Sequence, residues 1–374
     1  MPTPIKPTDQ VQLLIGGKMH ADWESYEVES DLLTPADAWR VTIGPEGGVL
    51  PVEVVAGAPA EVRIGGDRVM VGRIDDIDHS VSKQSHSYEL TGRDGAAVLV
   101  DCSAPIFVAR LSDLGEIVAK IVRPLGITTI RIDADSTLTR EKINVEPGDS
   151  AWDVLAHCAE ANGLWPWFAP DGTLVVGGPD YSTPPVATLI MRRNGQGNNV
   201  ESLNEKKTAH DRYSEMTVLG QTHGTDQEQG KNNLKATVRD ADVSWYRPKV
   251  VVDHEADSTA VCRDRARKLL ADSRLQGYTL TACVTGHRIV APGEPGDGQL
   301  WTPGQRVMVH SEPHGIEGVF LLMKRKFSGG RSGGATTELT LKEDGVWILD
   351  AHPHKRKHRR GKNDAGIMQD YVAP

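Results

Sequence analysis

Several groups of side chains along this 374-residue chain have types and spacings from which chemistry can be built. Asp75, Asp76, Asp78 and His79 bring carboxylates and an imidazole together, a donor set for a divalent cation. The run lacks the alternating oxygen ligands and central glycine of a calcium loop, so it reads as a solvated strand end. His210-Asp211 and Asp253-His254-Glu255 set an imidazole beside a carboxylate, as in a general base with its orienting acid. Neither lies next to a nucleophile in a recognisable turn, and neighbouring side chains on a strand point to opposite faces. His352, His354 and His358 are spaced to chelate a metal, but the flanking positive charge opposes a cation. Cys102, Cys158, Cys262 and Cys283 are isolated, without a CxxC pair, and read as reduced, packed thiols. Gly44-Pro45-Glu46-Gly47-Gly48 and Gly329-Gly330-Arg331-Ser332-Gly333-Gly334 are turns or hairpin tips and not phosphate loops, because no Lys-Ser/Thr pair opens a helix after them. The expectation is no catalytic residue, no metal, no cofactor and no enzyme.

Charge is unevenly distributed. The net charge is −9, yet Lys355, Arg356, Lys357, Arg359, Arg360 and Lys362 supply six positive charges near the C-terminus, leaving −15 on the rest. An acidic body argues against general nucleic-acid binding, which needs cations clustered on a folded face. It suits a wall past which DNA slides without sticking. The basic run reads as a disordered tail that touches DNA or docks on an acidic neighbour. No apolar run approaches the roughly 20 residues of a membrane span, and no signal-peptide pattern opens the chain, so a soluble protein made in a cytoplasm and not inserted in a membrane is expected.

The elements that must position these groups alternate between strand-rich and helix-bearing blocks. With 38 Gly and 22 Pro and only 5% aromatic residues, many turns and short strands follow. Period-two patterns recur at Val11, Leu13 and Ile15; Tyr26 and Val28; Trp39, Val41 and Ile43; Val52 and Val54; and Glu61 to Ile64. A Gly65-Gly66-Asp67 turn then returns a strand from Arg68 to Ile74, and a longer polar strand runs from Ser80 to Thr91 before Gly92-Arg93-Asp94-Gly95 breaks it. Val62, Ile64, Tyr88 and Leu90 are expected in the core. A helix capped by Ser112 carries Leu114, Ile117, Val118 and Ile121 on one face and stops at Pro124. A second, capped by Asp149 or Ser150, carries Trp152, Leu155, Ala156 and Ala159, and covers a hairpin through Trp165 to Phe168 and Leu174 to Val176. Arg192 to Asn199 reads as a linker, Ser214 to Gly220 as a strand and Gln221 to Asn233 as a projecting loop. A third helix from Asp257 or Ser258 turns Arg263, Asp264, Arg267 and Lys268 outward, and strands return around Tyr278 to Val284, Val307 and Val309, Val319 to Met323, and Leu339 and Leu341.

The fold class expected is mixed, β-rich α+β: two small β-barrel domains with an α/β insert and further helix-bearing segments. Residues 1–101 form the first barrel, 102–195 the insert and 196–275 a linker strand, loop and helix-bearing domain. Residues 276–350 form the second barrel, completed by strands from 200–220, and 351–374 the basic tail. No exact internal repeat is visible, but two barrel-like blocks around an insert suggest a duplicated architecture.

Val71-Gly72-Arg73-Ile74-Asp75, Thr91-Gly92-Arg93-Asp94 and Leu99-Val100-Asp101-Cys102-Ser103-Ala104, in this order, resemble the baseplate hub proteins of Mu-like contractile-tailed bacteriophages. Val11-Gln12-Leu13 to Gly17, Trp23 to Val28, Val145 to Ser150, and Trp301-Thr302-Pro303-Gly304-Gln305 with Val307 and Val309 extend the resemblance over about residues 8 to 347. Asp31-Leu32-Leu33-Thr34 departs from the family's usual Arg-Ser-Leu-Asp step. The resemblance implies a structural virion protein of the tail baseplate, assembled in the host bacterial cytoplasm. It implies a homotrimeric ring that adapts a sixfold tail tube to a separate, threefold membrane-piercing spike and leaves a central channel for DNA, with other baseplate proteins as neighbours. A secretion-system spike protein would continue into a needle repeat, which this chain lacks. Pro147-Gly148-Asp149-Ser150-Ala151-Trp152 also resembles the start of a LysM peptidoglycan-binding module, with Trp165 and Trp167 as stacking surfaces. The alternative is therefore a peptidoglycan-binding or peptidoglycan-degrading tail module.

Overall fold

The computed structural model describes residues 9–44, 50–83, 86–109, 113–133, 143–145, 148–160, 162–221, 233–253, 256, 258–331, 333–347 and 349. The alternating apolar patterns become strands. β1 (Val11–Ile15) and β2 (Lys18–His20) form a hairpin, followed by β3 (Ser25–Asp31), β4 (Ala38–Ile43), β5 (Pro59–Ile64), β6 (Asp67–Val81) and β7 (His86–Asp94). Helix α1 (Ala97–Asp101) opens the next unit, with β8 (Val108–Ala109), α2 (Leu114–Val122), β9 (Ile130–Ile132), β10 (Ile143–Asn144), α3 (Ala151–Glu160), β11 (Trp165–Phe168) and β12 (Leu174–Gly177). Then come β13 (Ala187–Met191), β14 (Ser202–Lys207), β15 (Glu215–Gly220), β16 (Leu234–Arg239), β17 (Pro248–Val252) and α4 (Thr259–Gly277). The last strands are β18 (Tyr278–Thr285), β19 (Arg306–Ser311), β20 (Ile316–Gly330) and β21 (Thr336–Glu343).

The strands expected in two separate barrels belong to one 13-stranded sheet, and its pairings among the described residues close no ring. The join is β3 against β20, antiparallel from Ser25↔Gly330 to Asp31↔Lys324. The two halves also share one apolar core, running from Val11 and Ile64 through Val28 and Phe327 to Leu339 and Leu341. The fold is thus β-rich α+β, with the two halves fused.

The duplication expected from the sequence pattern appears in the connectivity. In the first half, β1, β5, β6, β7, β4 and β3 lie side by side; in the second, β13, β19, β20, β21, β18 and β14 do. Taken in chain order within each half, both sets read first, fourth, fifth, sixth, third, second. In both, the fifth strand is 15 residues long and carries an irregularity in its pairing with the sixth, between Ile74 and Asp76 and between Leu322 and Lys324. A bulge sharpens local twist, which lets one long strand serve successive neighbours. The halves differ at the first strand: β1 is antiparallel to β5, whereas β13 is parallel to β19.

Two compact units are added to this sheet. In the first, α2 begins at Asp113, whose side chain accepts the Glu116 amide at 2.8 Å, and ends near Pro124 and Gly126. Its buried Leu114, Ile117, Val118 and Ile121 form a core with α3, α1 and the three-stranded sheet β11-β12-β9. Ser150 accepts the Asp153 amide at 3.0 Å and donates its hydroxyl to the Asp153 carboxylate at 2.7 Å, fixing the start of α3. In the second, α4, capped by Ser258, covers one face of the sheet β16-β15-β17. This unit leaves and rejoins the main sheet at one point, where Lys207 faces Tyr278 and the Thr208 amide donates to the Gly277 carbonyl at 2.9 Å.

Local expectations are corrected in several places. The strand after Gly65-Gly66 does not stop at Ile74: its polar continuation pairs with β7 as far as Val81↔His86, because β7 supplies the ladder partners that the side-chain pattern cannot reveal. Gly92 stays within β7, where an added Cβ would meet the Trp39 ring. Val52 and Val54 form no strand; the Val54 amide turns back to the Pro51 carbonyl at 2.9 Å. The cap of α2 is Asp113, and Ser112 lies outside the described residues. Gly329 and Gly330 continue β20, where added Cβ atoms would strike the Tyr26 hydroxyl and the Glu24 carbonyl. Arg192 to Asn199 is a hydrogen-bonded loop in which the Asn199 side chain accepts the Ile190 amide at 2.7 Å and donates to the Thr188 carbonyl at 2.7 Å. Lys268 does not face solvent; it is buried and pairs with Asp272 at 3.0 Å and with Glu160 of α3 at 3.6 Å. Val62, Ile64 and Leu90 are buried, as expected, and Tyr88 is half-buried.

Phe327, fully buried, packs where the halves meet. Phe327→Ala should remove about 3–5 kcal/mol of stability. Hydrogen exchange should then show β1 and β5 losing protection together with β18 and β21; loss confined to the second half would refute a common core.

Candidate functional site

Alternation along β20 turns Lys324 and Lys326 to one side and Arg325 and Phe327 to the other. Arg325 is consequently only 3% exposed. Its guanidinium donates to the Trp301 carbonyl at 3.1 Å and to the Ser30 hydroxyl at 2.9 Å, and lies 4.0 Å from the Phe327 ring centre. Its Nε finds no hydrogen-bond partner among the described residues. Arg325 borders a cavity of about 200 Å³ together with Asp37 and Asp94 of the first half and Trp167 and Phe168 of the α2–α3 unit. Three parts of the molecule therefore meet at a cavity lined by both charged and apolar groups.

The β3–β4 loop and the end of β7 deliver the two acids. Asp37 accepts the Asp31 amide at 2.8 Å, and its carbonyl takes the Asp94 amide at 2.9 Å. The Asp94 carboxylate accepts the Ala96 amide at 2.9 Å, directing the chain into α1. Burial pushes the Asp37 carboxyl up to about 7, against the opposing pull of Arg325 and its hydrogen bonds. Burial, reinforced by the charge of Asp37, also lifts Asp94 well above the usual carboxylate range. Burial lowers Arg325 to about 10, so its charge persists at neutral pH. The same loop docks the α2–α3 unit: the Trp165 indole donates to the Leu32 carbonyl at 2.6 Å.

A second polar chain crosses between the halves. Tyr26 of β3 meets His287 Nε2 at 2.9 Å, His287 Nδ1 lies 3.2 Å from Thr337 Oγ1, and the Thr337 hydroxyl donates to the Gly286 carbonyl at 2.6 Å. With the Thr337 proton committed to Gly286, Nδ1–H donates to Thr337 and Nε2 accepts from Tyr26. Burial holds His287 down to about 3, with Arg325 and Arg288 adding to the effect, so the ring is neutral. Arg288 ties the halves again, through Asp67 at 2.7 Å and the Ile64 carbonyl at 3.1 Å.

These groups were missed by the sequence reading, although the apolar residues flanking Lys324-Arg325-Lys326 mark Arg325 as inward-facing. The groups singled out from sequence are arranged differently. Asp75 is taken by Arg93 at 2.6 Å, which also holds Asp101 at 2.7 Å, and no cluster of three or more His, Cys, Asp or Glu suited to a metal occurs among the described residues. His210 and Asp211 do meet, at 2.7 Å, because they lie in a turn and not on a strand; both are exposed. Asp253 lies 3.4 Å from Arg265, while His254 and Glu255 are outside the described residues. Trp165 packs edge-on against Trp152, and both Trp165 and Trp167 border the cluster of Leu275, Leu321 and Trp347. They serve as packing groups. His352, His354, His358 and the basic run Lys355, Arg356, Lys357, Arg359, Arg360 and Lys362 lie outside the described residues. No helix among the described residues is long and apolar enough to cross a membrane.

Fold and site define a scaffold whose buried polar groups fasten parts together. Comparison with known proteins agrees: four family models match in succession. These are the Mu phage baseplate assembly protein GpP-like N-terminal domain (residues 10–94), the second domain of baseplate hub protein gp44-like proteins (96–178), and the third (212–270) and C-terminal (272–346) domains of NMB1110-like tail proteins. The crystal structure of the tail protein from Neisseria meningitidis MC58 is 42% identical, over 92% of this chain and 99% of that one, with a TM-score of 0.80. The 43 kDa tail protein of prophage MuSo2 from Shewanella oneidensis shares the fold, at 23% identity, 91% and 100% coverage and a TM-score of 0.79. Baseplate hub protein gp44 of Escherichia phage Mu is 22% identical over 379 residues, 97% of this chain and 96% of that protein. The chain belongs to the Mu-like baseplate hub protein family, whose members are structural components of phage tails.

The buried titrations predict opposing pH effects. Folded Asp37, with its carboxyl near 7, keeps a proton that the unfolded group, near 3.8, releases; its contribution to stability is present below about 4 and is lost as pH rises to about 7. Unfolded His287 takes up a proton below about 6.5 that the folded ring refuses down to about 3, so its contribution falls on acidification over that range. Relative to the unaltered chain, Asp37→Asn should make the unfolding temperature climb more steeply with pH between about 4 and 7. His287→Gln should make it fall more steeply with pH between about 4 and 6.5. Thermal unfolding across pH 4–8 measures both slopes, and reversed signs would refute the assignments.

Proposed function

We propose that three copies of this chain form a ring at the centre of a contractile-tail baseplate, adapting a sixfold tail tube to a threefold membrane-piercing spike. The observation that carries this reading is the strand order common to the two halves. Two similar six-strand modules per chain give a triplet of chains six related surfaces on the tube side, while the chain's true threefold repeat remains available to a spike. Closed cyclic assembly joins unlike faces of neighbouring copies. Binding then rests on buried apolar area and strand edges, with no covalent step. Each module curves as a small barrel-like roll, with the whole assembled in the host bacterial cytoplasm before entering the virion. The acidic body lines a central channel that DNA crosses without adhering.

In this reading Lys355, Arg356, Lys357, Arg359, Arg360 and Lys362 contact DNA in the channel or an acidic neighbouring protein. The indoles that would serve a peptidoglycan-binding alternative are engaged in packing, which favours the hub reading.

Light scattering on the purified full chain should give a mass of three 40.6 kDa protomers; a single-protomer mass at every concentration would overturn the ring. Removing residues 352–374 should lower particle assembly or DNA ejection in a phage carrying the truncated gene. Normal values for both would remove any role for the tail.

A further inference from the structure

The end of the β6–β7 hairpin carries a pair of imidazoles that the hub reading does not use. His79 and Tyr88 are direct cross-strand partners, as are Val81 and His86, so the two histidines sit diagonally on one face of the ribbon. Their Nε2 atoms are 2.8 Å apart. Tyr88 stacks on the His79 ring, with centroids 4.1 Å apart and planes 15° apart, and lies 5.4 Å from His86. His79 is exposed and His86 half-buried. Two rings are thus brought together by backbone pairing and stacking, with their ε nitrogens within hydrogen-bond distance of each other.

We propose that His79 and His86 form a two-histidine site for a divalent late transition metal, Cu²⁺ or Ni²⁺, with water in the remaining positions. In the metal-free chain one Nε2–H donates to the other Nε2. On metal binding that proton moves to Nδ1 of the same ring, leaving two neutral imidazoles with free Nε2 lone pairs. Metal–nitrogen bonds of about 2.0–2.1 Å set the geometry: two ligands at a right angle place their nitrogens about 2.9 Å apart, and two at the tetrahedral angle about 3.4 Å. The 2.8 Å separation therefore fits adjacent corners of a square-planar or octahedral ion, the preference of Cu²⁺ and Ni²⁺, better than tetrahedral Zn²⁺. Asp78 and Glu89 pair across the strands on the opposite face of the ribbon, where Arg40 lies 3.5 Å from Glu89, and Lys83 stands near the tip.

The test is Cu²⁺ titration of the untagged full chain at pH 7.5, followed by calorimetry and by electron paramagnetic resonance, which counts coordinated imidazole nitrogens. One Cu²⁺ per chain with a two-nitrogen signature is expected. His79→Asn and His86→Asn should each weaken it by at least the roughly 10–100-fold cost of losing a group that merely orients a ligand. Both positions lie at the end of an exposed hairpin, and an unchanged unfolding temperature would verify that the variants remain folded. The site should survive in a His352→Ala, His354→Ala, His358→Ala triple variant. Binding unaffected by the hairpin substitutions, or abolished by the tail substitutions alone, would overturn the proposal.

Discussion

Seven residues of β3 hydrogen-bonded along the second half of β20 hold this molecule together. Without that ladder each six-strand set would expose an unpaired edge and one side of its core. With it, Val28 and Phe327 become neighbours and apolar side chains from residue 11 to residue 341 share one interior. A 15-residue strand is long enough for this because its pairing shifts at Leu322/Lys324: β19 takes its beginning and β3 its end, while β21 follows the other edge. The structural unit is the pair of modules, which neither six-strand set forms alone.

Polar groups buried at the same join fix its alignment. A guanidinium, two carboxyls and a neutral imidazole removed from water contribute little net stability, because desolvation offsets most of what their contacts return. They do penalise any other arrangement: sliding β20 by one residue would bring Lys324 or Lys326 inward and leave Ser30 and the Trp301 carbonyl without Arg325. For a component whose neighbours must meet defined surfaces, one enforced alignment matters more than a deeper energy minimum. The opposed protonation of Asp37 and His287 also spreads the pH sensitivity of the join across both halves.

Local chemistry made much of this legible in advance. Alternating Val11, Leu13 and Ile15, the apolar stripe of α2, the capped starts of α3 and α4 and the Gly65-Gly66 turn depend on near neighbours and appear where expected. Long-range pairing was not legible. Polar Asp75 to Ser80 carries no strand signal by itself, and only β7 alongside makes it one. Gly329 and Gly330 resemble a turn until Tyr26 and Glu24 occupy the space that side chains would need. Lys268 looked solvent-facing because its partner Glu160 belongs to a distant helix. The Asp37, Asp94 and Arg325 cluster stayed hidden for the same reason, since its members lie on strands far apart in the chain. Family resemblance supplied the hub reading, and the repeated strand order supplied a physical basis for it.

The excursion from Thr208 to Gly277 departs from the sheet and returns to it across a single hydrogen-bonded step, and three strands and a long helix hang from that step. A segment whose ends already touch is an appendage on a hairpin: closing the chain across its base requires little reach, whatever its length. A change in the length of this piece would therefore leave the register of the sheet untouched. The fold thereby separates a continuous frame from a unit fastened to it at one step.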